Sequence, residues 1–525
     1  MKQEMLNFCM HKGILLDKEV LKVIDNLNDL DVAKNLIERV EFQYKQKVIT
    51  KSFFLNNLDK VYEILSSYNT VNRRFVENFF ESLGLEIKEE KISEFKEEKE
   101  KKTEENSIVE IKSFKNQPKK IEVKDFVNNF KFRYNFLKNI LQERPDLENL
   151  ISINRISENS NFSIIGLVFD KKITKNGNII LELEDNTGRI SALVNKNRQE
   201  IFEKSNEILL DEVIGIKCSG NKEFVFINEI FFPDIKILDK KKSKFDEYIA
   251  FTSDVHVGSD KFLEENFEKF IDWINGKVGN KVQREEALKV KYLFITGDTV
   301  DGVGVYPGQE TQLILKDVKE QYRKLAYFLS KIREDVQIIM CAGQHDAVRV
   351  AEPQPIVSEQ YAEPLYFLKN VKIVTNPSFV KIGKDVKLNI LMYHGASMHG
   401  IINTIDALRL GKGHDSPTDV VKYMLKKRHL APTHSLVTYT PLDDQDALLI
   451  SEIPDVVATG DLHRPEIADY NGVTLIASSC WQSRTPFEEK VGNNPDPCKV
   501  PLLNLKTRDI KVMDFSEINN EGKIQ

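Results

Sequence analysis

Five times between Tyr248 and His463 a short apolar run ends in a cluster of oxygen and imidazole side chains. Tyr248-Ile249-Ala250-Phe251 leads to Asp254-Val255-His256, Tyr292-Leu293-Phe294-Ile295 to Gly297-Asp298-Thr299-Val300-Asp301, and Val336 to Met340 to Gly343-Gln344-His345-Asp346. Leu388 to Met392 then precedes Tyr393-His394-Gly395, and Val456-Val457-Ala458 precedes Gly460-Asp461-Leu462-His463. Such runs read as buried strands, and the helical stretches between them make the segment from Glu247 to about Leu505 α/β. Strands that all end in ligands bring those ligands to one sheet edge, so the recurrence predicts a single site. Asp254 and His256, two apart in an extended segment, are expected to point the same way, because strand side chains alternate.

Histidine placement sharpens this. Of nine histidines, eight lie between residues 254 and 463, and four of those terminate the runs. One such histidine or Gly-Asp pair alone is usually a structural polar group; five in the same context point to cation binding. Mixed Asp, His and carboxamide donors suit Mn²⁺, Fe or Zn, and no cysteine sits in the cluster to favour a thiolate site. A single ion needs three or four protein ligands, and about seven candidates are present, which predicts two cations sharing a carboxylate.

The rest of the chain is organised around that segment. At 525 residues, several folding units are expected. Residues 1–84 carry apolar side chains at helical spacing, as in Val20, Val23, Ile24, Leu27 and Phe54, Leu58, Val61, Leu65, and form a helical domain. Gln46, Ile49, Phe53 and Phe54 nearly match a sliding-clamp peptide, with the aromatic pair one position out of place, and read as helix core. Residues 85–120 are a charged flexible linker: three quarters of residues 86–105 are charged, with no core-forming period. Residues 121–240 hold a helical lead-in over Val123 to Leu150 and then strands at 162–169, 179–183 and 190–194, a helix at 199–209, and strands at 213–218 and 224–231. That order is the order of an OB-fold barrel, which serves either single-stranded nucleic acid or protein contact; no solvent-facing aromatics are obvious. Residues 241–525 form the ligand-bearing domain.

Composition adds exclusions. Hydrophobic residues are 41% and charged residues 30% of the chain, which excludes disorder throughout. No run of 18 apolar residues occurs and Met1 to Lys12 lacks the features of a secretory signal, so no membrane association and a cytoplasmic setting are expected. Five scattered cysteines without CxxC spacing suggest neither disulfides nor a zinc ribbon. The formal charge of −6 announces no global nucleic-acid field. Phosphate contacts would fall to local basic segments, Lys240, Lys241 and Lys242 or Lys426, Lys427 and Arg428, each of which reads equally as a solvated surface run.

The motif series resembles the calcineurin-like metallophosphoesterase superfamily, whose signature runs DxH, GDxxD, GNHD, a lone His and GHxH, in this order and at similar spacing. Within it, Gly343-Gln344-His345-Asp346-Ala347-Val348-Arg349, Glu352-Pro353-Gln354-Pro355, Arg428-His429-Leu430-Ala431-Pro432 and Trp481-Gln482 are similar to the small subunits of archaeal family D DNA polymerases. The resemblance implies a multidomain α+β chain: helical N-terminus, OB-fold barrel, and a C-terminal two-sheet sandwich flanked by helices. It implies one metal on Asp254, His256 and His463, a second on Gln344, His394 and Asp461, and Asp298 bridging. His345 would protonate the leaving oxygen or stabilise the transition state, oriented by Asp346. Two positions depart from the superfamily: Gln344 stands where Asn is usual and Asp461 where a His is usual, each still offering an oxygen donor.

The implied activity is 3′→5′ exonucleolytic hydrolysis of DNA by two divalent ions, manganese foremost and Mg, Fe or Zn as alternatives, removing misinserted nucleotides. A mismatched end has less stacking to lose and frays more readily into a single-strand site. The implied partners are the large catalytic polymerase subunit, single-stranded or frayed 3′ ends of DNA, and the sliding clamp through the complex. The rival readings are a catalytically silent scaffold on the same architecture and a generic metallophosphatase.

Overall fold

The computed structural model describes residues 2–27, 29–66, 70–88, 91, 110–114, 120–157, 160–443, 445–491 and 493–517. The chain divides into two compact units, residues 1–108 with 363–369, and residues 109–362 with 370–525. Among the described residues no helix is long and apolar enough to cross a membrane.

The first unit is built mainly from the helices Lys2–Lys12, Lys18–Leu27, Leu30–Tyr44, Lys51–Leu55, Leu58–Ser66 and Thr70–Ser82, with β1 (Leu15–Leu16) and β2 (Val48–Ile49) forming a short parallel pair. Side-chain caps start three of the helices: Asp17 Oδ1 accepts from Val20 N, Asp29 Oδ1 from Val32 N and Thr50 Oγ1 from Phe53 N. The apolar period buries Val20, Ile24, Leu36, Val40, Val61 and Leu65 in one core, while Leu58 is left exposed. Ile49 and Phe54 lie fully inside the same core, so the clamp-like stretch is packed inward.

In the second unit the predicted linker is corrected at its end. Residues 92–109 lie outside the described ones, but Glu110–Lys112 forms β3, an antiparallel edge strand whose Lys112 pairs with Phe379 and Ile111 with Val380. A segment with one apolar residue between charged ones suits a sheet edge, where the backbone is paired on one side only.

One helix, Val123–Gln142, follows, opened by a capping box between Glu122 and Asp125. Then β4 (Ser160–Ile173), β5 (Ile179–Asp185), β6 (Gly188–Val194), β7 (Val213–Gly220) and β8 (Phe224–Phe231) close into a barrel in the order β4-β5-β6-β8-β7, with the helix Gln199–Asn206 between β6 and β7. Period-two burial of Ile179, Leu181, Leu183 and Ile190, Ala192, Val194 fills it. The β5–β6 turn is held by Asp185 Oδ1, which accepts from the backbone of Thr187 and Gly188. Aromatics do face solvent here: Phe169 and Phe226 are about half exposed, and the Arg189 guanidinium lies 3.5 Å from the Phe169 ring centroid.

The remaining strands are β9 (Tyr248–Thr252), β10 (Val290–Thr296), β11 (Gln337–Cys341), β12 (Val371–Val374), β13 (Ser378–Ile382), β14 (Leu388–Met392), β15 (Val456–Thr459), β16 (Glu466–Tyr470), β17 (Val473–Ala477), β18 (Lys499–Asn504) and β19 (Ile510–Asp514). They make two six-stranded sheets, β12-β11-β10-β9-β18-β19 and β16-β17-β15-β14-β13-β3. Phe251, Phe294 and Ile339 of the first sheet and Val380, Ile390 and Val456 of the second share one core, so the sheets pack face to face. β9, β10, β11 and β12 are parallel neighbours, as are β14, β15 and β17. Strands buried on both faces read as the continuous apolar runs of the sequence. The helix Pro417–Lys427 covers the outer face of the second sheet, packing Val420, Val421 and Met424 over Leu391, Val457 and Leu475.

Candidate metal centre

The loops after β9, β10, β11, β14 and β15 converge at the carboxyl ends of these strands. His256 Nε2 lies 3.3 Å from His463 Nε2, and His463 Nε2 lies 3.3 Å from Asp254 Oδ1. Asp298 Oδ2 is 3.2 Å from His394 Nε2 and 4.0 Å from His256 Nε2. Asp254 Oδ1 is also 3.9 Å from His394 Nε2. Asp254, His256 and His463 thus form one group of donors and Asp254, Asp298 and His394 another, with both carboxylates between the two. Asp461 Oδ1 joins the second group, 3.8 Å from His394 Nε2 and 3.2 Å from Gln344 Nε2.

The convergence does not come from strand alternation, and that expectation is corrected. β9 ends at Thr252, and both Asp254 (φ 50°) and His256 (φ 52°) adopt left-handed backbone, as do Asp298, Asp461 and His463. Side chains other than glycine adopt this region at a cost, which the surrounding structure must hold. Close approach demands glycine next to them. A Cβ on Gly343 would sit 2.2 Å from Asp298 Oδ1 and 2.6 Å from His394 Nε2, and one on Gly460 would sit 2.6 Å from Asp254 Oδ2.

The ring nitrogens away from the centre are fixed one by one. His256 Nδ1 pairs with Asp301 Oδ1 at 3.0 Å, His394 Nδ1 with the Thr296 carbonyl at 2.7 Å, and His463 Nδ1 with Glu488 Oε1 at 2.8 Å. Each Nδ1 therefore donates outward and each Nε2 faces inward, which is how metal-binding imidazoles are oriented. Asp301 is itself held by Gln309 Nε2 and Gln482 Nε2. Asp301 was visible in its Gly-Asp-Thr-Val-Asp motif without an assigned role; Glu488 and Gln309 carry no sequence signal, because they reach the site from chain segments with no motif.

His345 and Asp346 divide differently from expectation. His345 Nδ1 lies 2.8 Å from the main-chain carbonyl of Asp301, which orients its ring. The Asp346 carboxylate accepts instead from Thr299 N and Oγ1, Gly343 N and the Tyr322 hydroxyl, so it braces the loops that carry the ligands. Its role as the orienter of His345 is corrected to that.

The electrostatics suit cations. Burial alone would push the His394 imidazole down, but the carboxylates of Asp298 and Asp254 outweigh it and hold it well above the ordinary range. Burial likewise favours neutral Asp298, and the facing His394 and His345 reverse this and hold its carboxyl well below the usual range. Two buried atoms of the site, His394 Nε2 and Gln344 Oε1, make no hydrogen bond, and His394 Nε2 stands 3.8 Å from Asp461 Oδ1. Buried polar atoms without partners are costly, and a divalent cation is the group that would satisfy an imidazole nitrogen and an amide oxygen amid carboxylates. The donor set fits a metal on that ground.

The basic segments do not line this site. Lys240 pairs with Asp469 at 2.6 Å and Lys241 with Asp455 at 2.7 Å. Asp455 precedes β15, whose other end leads to Asp461, so these lysines sit roughly 13 Å away at the opposite sheet edge; Lys242 is exposed beside them. Lys427 is buried against Glu212 of the barrel, Lys426 pairs with Glu207, and Arg428 donates Nε to the Ile450 carbonyl. Lys426 and Lys427 thus join the sandwich to the barrel, and none of the six basic residues lines the two clefts at the metal centre.

Two clefts meet at His345 and Gln344. One of about 250 Å³ holds His256, Asp298, Asp461 and His463, and one of about 580 Å³ runs past Val303, Val305 and Val350. Among known proteins, the family model for the B subunits of DNA polymerases alpha and epsilon matches residues 249–468. A protein of Methanothermobacter thermautotrophicus named DNA polymerase II small subunit is 40% identical over 396 residues, covering 75% of this chain and 80% of its own length. A protein of the same name from Archaeoglobus fulgidus is 34% identical over 503 residues, covering 94% of this chain and 100% of its own. A solved archaeal phosphodiesterase overlaps 50% of this chain and 98% of its own, with a TM-score of 0.24 and 14% identity, a likeness too slight to bear on function.

Proposed function

The chain belongs to the archaeal DNA polymerase II small-subunit family, and from that premise we propose that it is the metal-dependent 3′→5′ exonuclease of a family D polymerase, paired with a large catalytic subunit. The sandwich is read as a calcineurin-like metallophosphoesterase domain and the closed barrel as an OB fold. The observation that carries the reading is the buried His394 Nε2, left without a hydrogen bond among the carboxylates of Asp254, Asp298 and Asp461. A scaffold that had abandoned catalysis would have no reason to keep such an atom unsatisfied.

Two divalent ions, manganese foremost, would be held by Asp254, His256 and His463 and by Gln344, His394 and Asp461, with Asp298 between them. Bound there, they supply Lewis acidity that brings the pKa of water toward neutrality and neutralises charge building on a phosphodiester. The chain's own residues do the rest. Asp301 O holds the Nδ1 proton of His345, so a protonated His345 presents Nε2–H to the oxygen leaving phosphorus. The cleft beside His345 is walled by Val303, Val305 and Val350 together with Arg349, a lining that suits a nucleoside and its adjoining phosphate and so supports a polynucleotide end over a small phosphomonoester.

Replacing His345 with Ala in the two-subunit complex should slow release of nucleotides from a 3′-mismatched primer by about 10²-fold or more, with manganese content and melting temperature unchanged. Equal rates for the two proteins would leave only the assembly role. Faster turnover of an aryl phosphate than of the primer would favour the phosphatase reading.

A further inference from the structure

We infer that His414 and His399 form a two-imidazole brace that fixes the Asp461 carboxylate for the second cation, an inference that rests on the metal reading above. Asp461 stands where the superfamily places an imidazole. An imidazole is oriented by whatever holds its far nitrogen, whereas a carboxylate turning about its own bond needs its second oxygen held to present the first. Asp461 Oδ1 already faces Gln344 and His394. Asp461 Oδ2 is buried and makes no hydrogen bond, and the polar group facing it is His399 Nε2 at 3.4 Å.

His399 is in turn held from behind. Its Nδ1 lies 2.9 Å from His414 Nε2, with the ring centroids 4.9 Å apart. One proton lies between those two nitrogens. With His414 donating to Nδ1, the ring N–H that His399 itself offers is Nε2–H, on the side of Asp461 Oδ2. A small rotation of the ring then completes the chain from His414 through His399 to Asp461.

The supports of this chain are tied to the ligand loops. His399 lies in the first turn of the helix Met398–Thr404, five residues after the ligand His394. Between them Gly395 adopts φ 135°, and a Cβ there would press to 3.0 Å on the Cβ of Asp461, so only glycine lets the two segments approach freely. His414 sits in the turn Gly413–Asp415. Asp415 pairs with Arg464, next to the ligand His463, at 3.3 Å, and Thr418 N donates to Glu466 of β16 at 2.9 Å. His399 is 43% exposed on its side chain and belongs to no core, so its replacement leaves the packing intact.

The test is manganese titration of the full chain, followed by the ion's own magnetic resonance, with D461A marking which class of site depends on Asp461. H399A should weaken that same class by about 10- to 100-fold and leave the other class and the melting temperature of the chelated protein unchanged. H414A should weaken it in the same direction, and the double variant should be no weaker than H399A, because His414 acts only through His399. H399A binding both ions like the unsubstituted chain would overturn the brace, and if turnover alone were lost, His399 would be a substrate contact instead. An unsubstituted chain that takes up a single ion would overturn the two-metal reading itself.

Discussion

Glu352 has one oxygen 3.2 Å from the Tyr393 hydroxyl and the other buried without a partner. Burial pushes its carboxyl up to about 8, against the Tyr393 hydrogen bond that lowers it. The folded chain therefore holds a proton that the unfolded chain, with an ordinary carboxyl near 4.3, has released. Stability relative to E352Q is full below the unfolded value and falls by up to about 1.4 kcal/mol per pH unit as pH rises toward 8, then levels off. Denaturant unfolding of both proteins in chelator at pH 5, 6.5, 8 and 9 measures it; a pH-independent difference would refute the shift. The sequence marked Glu352 only as part of a family phrase. Burial and the absent partner are tertiary facts, as are the left-handed backbones at Asp254 and His256, where alternation along a strand named the right residues for a wrong geometric reason.

At the scale of elements, a buried arginine helps to fasten the helix Val123–Gln142 to the sandwich, beside Asn129 Nδ2, which donates to the Gln445 carbonyl. Arg133 Nε donates to Asp446 Oδ2 at 2.8 Å and Nη1 to the Pro432 carbonyl at 2.6 Å, while His429 Nε2 meets the same Asp446 oxygen at 2.9 Å. Ala431 N donates to His429 Nδ1, so the His429 proton is on Nε2 and points at Asp446. Burial would raise the Asp446 carboxyl, but Arg133 and His429 hold it well below the usual range. R133A, which strands that carboxylate, should cost about 3–5 kcal/mol at neutral pH. With a depressed folded value, the stabilisation is present above about pH 3.9 and lost as pH falls further, so the gap between R133A and the unsubstituted chain should narrow in acid. A constant gap from pH 7 to 3 would argue against it. The phrase Arg428-His429-Leu430-Ala431-Pro432 was legible as distinctive; that Arg428 and His429 are engaged within the chain, by the Ile450 carbonyl and Asp446, was not, because a short basic run looks the same on a surface and in an interface.

For the whole molecule, the boundary between the two units can be tested by truncation. A chain starting at 109 keeps β3 on β13, whereas one starting at 121 loses it together with the Phe114 N–H donated to Thr375 Oγ1. The shorter chain should be less stable by about 1–3 kcal/mol, from a few edge hydrogen bonds at roughly 1 kcal/mol each, visible as a lower melting temperature; equal melting would mean that β3 adds nothing. The strand signal at 110–112 was hidden beside a stretch whose charge overwhelms any period. By itself the sequence determined the two kinds of secondary structure and their order, the burial of the apolar runs, and the ligand types at their ends, because periodicity and side-chain chemistry are local. The tertiary structure alone decided which donors meet, which nitrogen of each histidine faces inward, that Asp301 and Glu488 hold those rings, and that His399 lies against Asp461. Those depend on distances between segments far apart in the chain, which packing sets and no local pattern records.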